Sequence, residues 1–355
     1  MYGRQKYNSH SHNTEPEHQP PNQFKHGSHT SDTTPGTSVS GANIVDFPES
    51  RSRRLFELKL LHQYITKTSP TIGSDPTAVE AWTKIVPVLA FSNDALLYSM
   101  YSLSALHLAK AEPQDPEALD AHRRYLDLAL REHRNDVTQL SKTNVDTICL
   151  TSSLLRVGAF VMLQDRPLNP YEPPMQWLNM TSGAVSVFKE TWKWIGDDPN
   201  SIASRLVKRM PIILDDEAKF GEKNRQGLLH LLRPSQSLEH WDADIQDAYE
   251  STISYIGGVM IAIAAQEAPV EICRRLIVFP MLIKRGFIDL VEQQQPRALV
   301  ILAHYFALCT MFKNIWWISD LGPREVRGIQ TVLSDEWQDL MSLPLQTIEQ
   351  GIILT

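Results

Sequence analysis

Polar and apolar positions along the chain fall into two regimes that meet near residue 50. Before it, Ser, Thr, His, Pro, Gln and Asn dominate and large apolar residues are scarce, too scarce to offset the entropy of ordering the backbone. Residues 1–50 are therefore expected to be a disordered tail, and residues 51–355 the folded domain. From Arg53 onward, apolar residues recur at three- and four-residue spacings, the signature of amphipathic helices. In 53–67 the stripe is Leu55, Leu58, Leu61, Tyr64 and Ile65. The segment 93–111 is apolar on nearly every side, with Asn93 placed to cap it, which predicts a central helix. Further helices are predicted at 116–140, 144–163, 175–194, 201–210, 242–266, 270–292 and 296–318. Pro296 stands where a first helical turn accepts a proline. No run alternates in the manner of a strand. The fold class is all-α, about ten helices in one large domain.

Composition narrows the function classes. The chain carries 34 Lys and Arg against 41 Asp and Glu, a net charge of −7, so no basic excess advertises a nucleic-acid surface. Its three cysteines, Cys149, Cys273 and Cys309, are too dispersed for a disulfide framework or a paired-cysteine zinc site. No apolar leader opens the sequence, and the apolar stretch 298–312 is shorter than the roughly 20 residues of a membrane span. An intracellular protein without a membrane span, in nucleus and cytoplasm, is expected.

Familiar catalytic motifs are missing: there is no dinucleotide fingerprint, P-loop, zincin motif or nucleophile elbow. Asp197-Asp198 and Asp215-Asp216-Glu217 resemble magnesium-binding carboxylate clusters, but neither pair places another carboxylate on its own helical face. Charge favourable to a helix start is the simpler reading. His107 and His304 lie in strongly apolar helices, where a hydrogen-bonded core histidine competes with a ligand or base. Gly257-Gly258 inside a helix costs about 1 kcal/mol per glycine against alanine, so close packing or room for a ligand should compensate. Neither a metal nor a cofactor is expected.

Several runs carry a family likeness. Leu58-Lys59-Leu60-Leu61-His62-Gln63-Tyr64, then Trp82, Val86-Pro87 and Leu89-Ala90-Phe91, then Leu103-Ser104-Ala105-Leu106-His107-Leu108-Ala109 resemble the regulatory domain of fungal zinc-cluster transcription factors. The run PRALVILAHYFAL at 296–308, followed by Trp316-Trp317, Arg324-Glu325-Val326-Arg327-Gly328-Ile329 and Glu336-Trp337, is similar to the sterol uptake control branch. The likeness implies an all-helical ligand-sensing domain, usually dimeric, with an apolar pocket for a sterol or other apolar small molecule. By that analogy the ligand contacts would be Tyr98, Tyr101, His107, Tyr255, Gly258, Met260, His304, Phe306, Trp316 and Trp317. Such factors also carry an N-terminal six-cysteine zinc cluster that reads DNA, whereas residues 1–50 here contain no cysteine. The expectation is a naturally DNA-reader-less regulator that does not bind DNA directly. It would act as a homodimer or through a partner transcription factor. Two alternatives stay open. One is an enzyme recruited from this fold for cyclisation, isomerisation or rearrangement of an apolar intermediate in fungal natural-product biosynthesis, with His107, His304 and Asp215 as its candidate catalysts. The other is a lipid carrier.

Deleting residues 1–50 should leave the thermal unfolding midpoint of the remaining chain unchanged, because the deleted segment offers no packed surface. A cooperative transition that is lost on truncation would place part of the folding core in the tail.

Overall fold

Helix α14 (Pro296–Cys309) is the axis of the molecule, and every residue from Arg297 to Cys309 in it is buried. A helix apolar all round has no solvent face and needs neighbours on every side. The computed structural model describes residues 50–351 except 74, 183, 209–214 and 235–238, and leaves aside the side chains of 180–187. The expected tail thus lies outside the described residues. Residues 49–355 form one unit, and no strand occurs among the described residues.

In chain order the elements are α1 (Arg51–Gln63), α2 (Pro76–Glu80), α3 (Val86–Ala90), α4 (Asp94–Ala111), α5 (Pro116–Thr138) and α6 (Val145–Gln164). After a proline-rich connection come α7 (Met175–Ser182), α8 (Ala184–Ile195), α9 (Ile202–Lys208), α10 (Asp216–Phe220), a 3₁₀ segment (Glu222–Leu232) and α11 (Ala243–Ala264). The last group is α12 (Pro269–Leu282), α13 (Arg285–Glu292), α14, α15 (Leu321–Val332), α16 (Asp335–Gln338) and α17 (Ser342–Gln350).

Local chemistry sets these boundaries. Asn93 caps α4 by accepting from the Leu96 N–H at 2.9 Å, and its amide donates to Asp136 near the end of α5 at 2.8 Å. Asp242 caps α11 through the Ile245 N–H at 2.8 Å, again satisfying a donor that has no intrahelical partner. The helix predicted over 270–292 is two helices, because Ile283 and Lys284 take extended backbone between α12 and α13. The one predicted over 296–318 ends at Cys309, so Trp316 and Trp317 lie on the irregular turns beyond it.

Helix α1 departs most from its pattern. Leu60 and Tyr64 are fully buried while Leu55 and Leu58 are 54% and 60% exposed. Helix α1 instead turns Phe56, Leu60 and Leu61 toward the cluster it shares with α4 and α5, and the Leu55 and Leu58 edge of the expected stripe faces water. Helix α4 itself serves two clusters. Leu96, Met100, Leu103 and Leu106 face the main core; Tyr101 and Ala105 join Leu60, Ala121 and Tyr125 in a smaller one with α1 and α5.

Helix α6 is the one described helix long and apolar enough to cross a membrane. It is packed instead: Leu150, Leu154, Val157, Phe160 and Val161 are all buried in the main core.

Two buried tyrosines on apolar helices bond backbone carbonyls of α12. Pro280 inside α12 has no N–H to give the Leu276 carbonyl four residues back, and the Tyr305 hydroxyl of α14 donates to that oxygen at 3.0 Å. The Tyr255 hydroxyl of α11 donates to the Arg275 carbonyl at 2.7 Å.

Gly257 lets α11 meet the 3₁₀ segment: a Cβ there would stand 1.9 Å from the Asn224 carbonyl oxygen. At Gly258 the nearest atom would be Asn224 Nδ2 at 3.1 Å. Gly257→Ala should therefore cost about 3 kcal/mol in chemical denaturation, an overpacking penalty. Gly258→Ala should stay within about 1 kcal/mol of wild type, since alanine's helix preference offsets a mild crowding. Equal effects would remove the close approach as the reason for the pair.

Candidate ligand-binding site

Between α6 and α12 the domain holds a cleft of about 370 Å³ that opens to solvent. This size falls near the lower end for small-molecule sites. Helix α6 contributes Cys149, Leu150, Ser153, Arg156 and Val157, one face at helical spacing. Helix α12 answers with Val270, Cys273, Ile277 and Val278, and α9 with Ala203, Leu206 and Val207. Trp82, Phe312, Ile315 and Trp317 close the remaining wall. The lining is apolar save for a few groups, as such sites commonly are.

Two arginines border the cleft and differ in their company. Arg274 donates to Asp75 at 2.8 Å and also pairs with Glu271. The same Asp75 caps α2 through the Thr77 and Ala78 N–H groups. Among the described residues, Arg156 donates to Ser153 Oγ at 3.2 Å and Met281 Sδ at 3.4 Å. Burial pushes its guanidinium down to about 10, because an apolar surrounding disfavours the charged form. Burial likewise raises the Cys149 thiol and takes Cys273 up to about 12, so both stay protonated and unreactive at neutral pH.

A second concavity, about 550 Å³, runs along the proline-rich connection after α6 and is edged by Arg166, Glu172, Glu292 and Gln294. Its charged rim and proline floor suit an apolar ligand less well than the cleft does.

Of the residues singled out from the sequence, Trp317 lines the cleft, its indole donating to the Thr71 carbonyl at 3.2 Å. Trp316 stands behind the same wall, donating to Thr71 Oγ1 at 2.9 Å and stacked on His107 with ring centres 4.0 Å apart. His107 also bonds Thr68 Oγ1 at 3.0 Å, and burial lowers its pKa.

The others lie elsewhere. Tyr98 and Tyr101 pack on Tyr125 in the α1–α4–α5 cluster. Tyr255 is bonded to α12, Gly258 faces Asn224, and Met260 is half-buried against the main core. Phe306 packs on Trp177 and Tyr305 in the middle of the core.

The three candidate catalysts do not converge. Asp215 is exposed and caps α10 through the Ala218 N–H at 2.9 Å, the helix-start role. His304 sits in the core, bonded to the Leu340 carbonyl, with Nε2 unpartnered and the His230 ring 6.3 Å away. His107 is held in its stack.

Arg156, Cys273 and Ile277 escaped the sequence reading. One signal was available for the first: Arg156 is a lone cation inside the apolar run Leu154 to Val161, and such a charge demands a partner.

Comparison with known proteins follows the same segments. Residues 59–165, the second half of α1 through α6, match the family model described as the fungal specific transcription factor domain. A Zn(2)-C6 fungal-type transcription factor of Aspergillus fumigatus, afumD, is 32% identical over 278 residues, covering 77% of this chain and 72% of that protein. A Zn(2)-C6 fungal-type transcription factor of Gibberella zeae is 27% identical, over 86% of this chain and 64% of its own length. Sterol uptake control protein 2 of Saccharomyces cerevisiae is 24% identical, over 79% of this chain but 30% of its own length.

His304 supplies a pH test of its own burial. Its pKa is pushed down to about 3 from an ordinary 6.5 by desolvation. Between those values the unfolded chain binds the proton and the folded one does not, so stability is complete above pH 6.5 and falls as pH drops through that window. The loss should be on the order of 1.4 kcal/mol per pH unit from this one group. His304→Gln, which keeps an N–H for the Leu340 carbonyl, should flatten the decline in thermal midpoint between pH 6.5 and 5. Identical acid sensitivity in both proteins would mean that the imidazole is accessible to protons in the fold.

Proposed function

Because the chain belongs to the Zn(2)-C6 fungal-type transcription factor family, we propose that it is a transcription regulator whose helical domain senses an apolar small molecule in the α6–α12 cleft. The observation that carries this reading is the cleft itself: about 370 Å³, walled by Val157, Leu206, Ile277 and Trp317, and built partly on α6, which closes the family-matched segment. A molecule of sterol or terpenoid character suits such a lining. The likeness to a Saccharomyces sterol uptake control protein supports the same ligand class by analogy.

In this reading the 355 residues sense, and DNA is contacted by another module. The three cysteines of the sequence all fall between 149 and 309 and do not supply a six-cysteine cluster. Occupancy of the cleft is passed to a second copy or to a partner transcription factor, with the nucleus as the place of action. An enzymatic reading gains no comparable support, since His107, His304 and Asp215 occupy three separate environments.

Filling the cleft tests the proposal. Ile277→Trp should weaken binding of an apolar probe by at least about tenfold, a loss of roughly 1.4 kcal/mol, while the circular dichroism spectrum is retained. Native mass spectrometry of wild-type chain from a fungal host should show a bound small molecule that Ile277→Trp lacks. With the chain fused to a heterologous DNA-binding module, the wild-type reporter output should respond to that molecule and the variant's should not. Equal binding by both proteins would move the ligand out of this cleft.

A further inference from the structure

The cleft carries one charge that no carboxylate among the described residues answers. Arg166, Arg225, Arg274, Arg275 and Arg297 each meet a carboxylate, from Glu325, Glu250, Asp75, Glu267 and Glu239 respectively. Arg156, on the cleft wall, has a hydroxyl and a thioether within reach and no carboxylate partner among the described residues. A guanidinium presents five N–H donors in a planar fork; the two contacts of Arg156 leave donors over. An unpaired cation in apolar surroundings is costly. That cost is offset when an anion arrives in a bidentate geometry.

We propose that the ligand of this cleft is an apolar carboxylic acid, its carboxylate held by Arg156 and its hydrocarbon body lying along Val157, Ile277 and Trp317. This rests on the reading of the cleft as an apolar-ligand site and adds the head group that the site selects. The lowered pKa of Arg156, to about 10, still leaves it charged at neutral pH, where a carboxylate is ionised too. A neutral alcohol of the same chain length would fill the apolar wall and leave the guanidinium without a counter-charge.

The test is calorimetric titration of the full chain with dodecanoic acid and dodecan-1-ol at pH 7.5. Wild type should bind the acid about tenfold more tightly than the alcohol, the lower range for a hydrogen bond to a charged group. Arg156→Met, which keeps the stem and removes the charge, should bind the two probes equally, and Arg156→Lys should retain part of the preference. The thermal midpoint of Arg156→Met without ligand should stay level or rise, since a half-buried charge with no carboxylate partner has been removed from an apolar wall. A midpoint that falls sharply would assign Arg156 to packing α6 and overturn the proposal. So would an acid preference that survives in Arg156→Met. Alcohol bound as tightly as acid by wild type overturns the head-group inference alone and leaves the apolar cleft standing. Neither probe bound overturns both.

Discussion

A helix buried on all sides can be tolerated only if its first turn, where donors and any charge are exposed to the interior, is fully answered. Arg297 does this for α14. Its guanidinium forms a double contact with Glu239 and donates to the Leu231 and Arg233 carbonyls at 2.7 and 2.8 Å. It lies between the Trp241 and Trp337 rings, 5.4 and 5.1 Å from their centres. The carbonyls come from the end of the 3₁₀ segment, where backbone acceptors lack partners of their own. One side chain thus fixes that segment, the chain entering α11 and the start of α16 against α14. Breaking a buried pair of this kind typically costs 3–5 kcal/mol, because the surviving charge is stranded.

The same principle of internal satisfaction recurs through the core. Glu325, buried in α15, is held by Arg166 and accepts from the Tyr171 hydroxyl at 3.2 Å. That pairing docks the proline-rich connection onto α15. Tyr305 answers the carbonyl that Pro280 leaves free. Arg166, Arg225, Arg274, Arg275 and Arg297 each meet a carboxylate, whereas the half-buried guanidinium of Arg156 faces the cleft without one among the described residues.

Much of the fold was legible because its signals are local. Asn93, Pro116, Asp242 and Pro296 begin helices where caps and first-turn prolines predict them, and the all-apolar run at 296–308 reads directly as buried. What misled was the assumption that an apolar stripe faces the core. Leu55 and Leu58 share their spacing with Tyr64, yet α1 packs through Phe56, Leu60 and Leu61 and leaves both of them in water. The site was less legible still. Tyr255 looked like a ligand contact because a buried hydroxyl needs a partner, but the partner is a carbonyl of α12, 20 residues away in sequence. Spacing along one helix carries no information about which carbonyl on another is left unbonded. A cleft formed where α6, α9 and α12 diverge is likewise a property of three segments at once.

That divergence is also what a sensor requires. A ligand shifts an equilibrium only through contacts that differ between two states, so the wall that moves must be the wall less firmly held. Helix α12 packs on α7, α11 and α14 and is bonded to α11 and α14 through Tyr255 and Tyr305. Toward α6, across the cleft, its polar link is the contact of Arg156 with Met281, a weak acceptor. Arg274 ties α12 to Asp75, which caps α2 inside the family-matched segment. In the proposed sensor, a change in cleft width would leave the α11–α12–α14 contacts in place and fall on α6 and α4, with α7 in contact with both α6 and α12. In the proposed reading, the group that would hold a ligand's carboxylate and the polar contact that bridges α6 to α12 belong to one residue, Arg156.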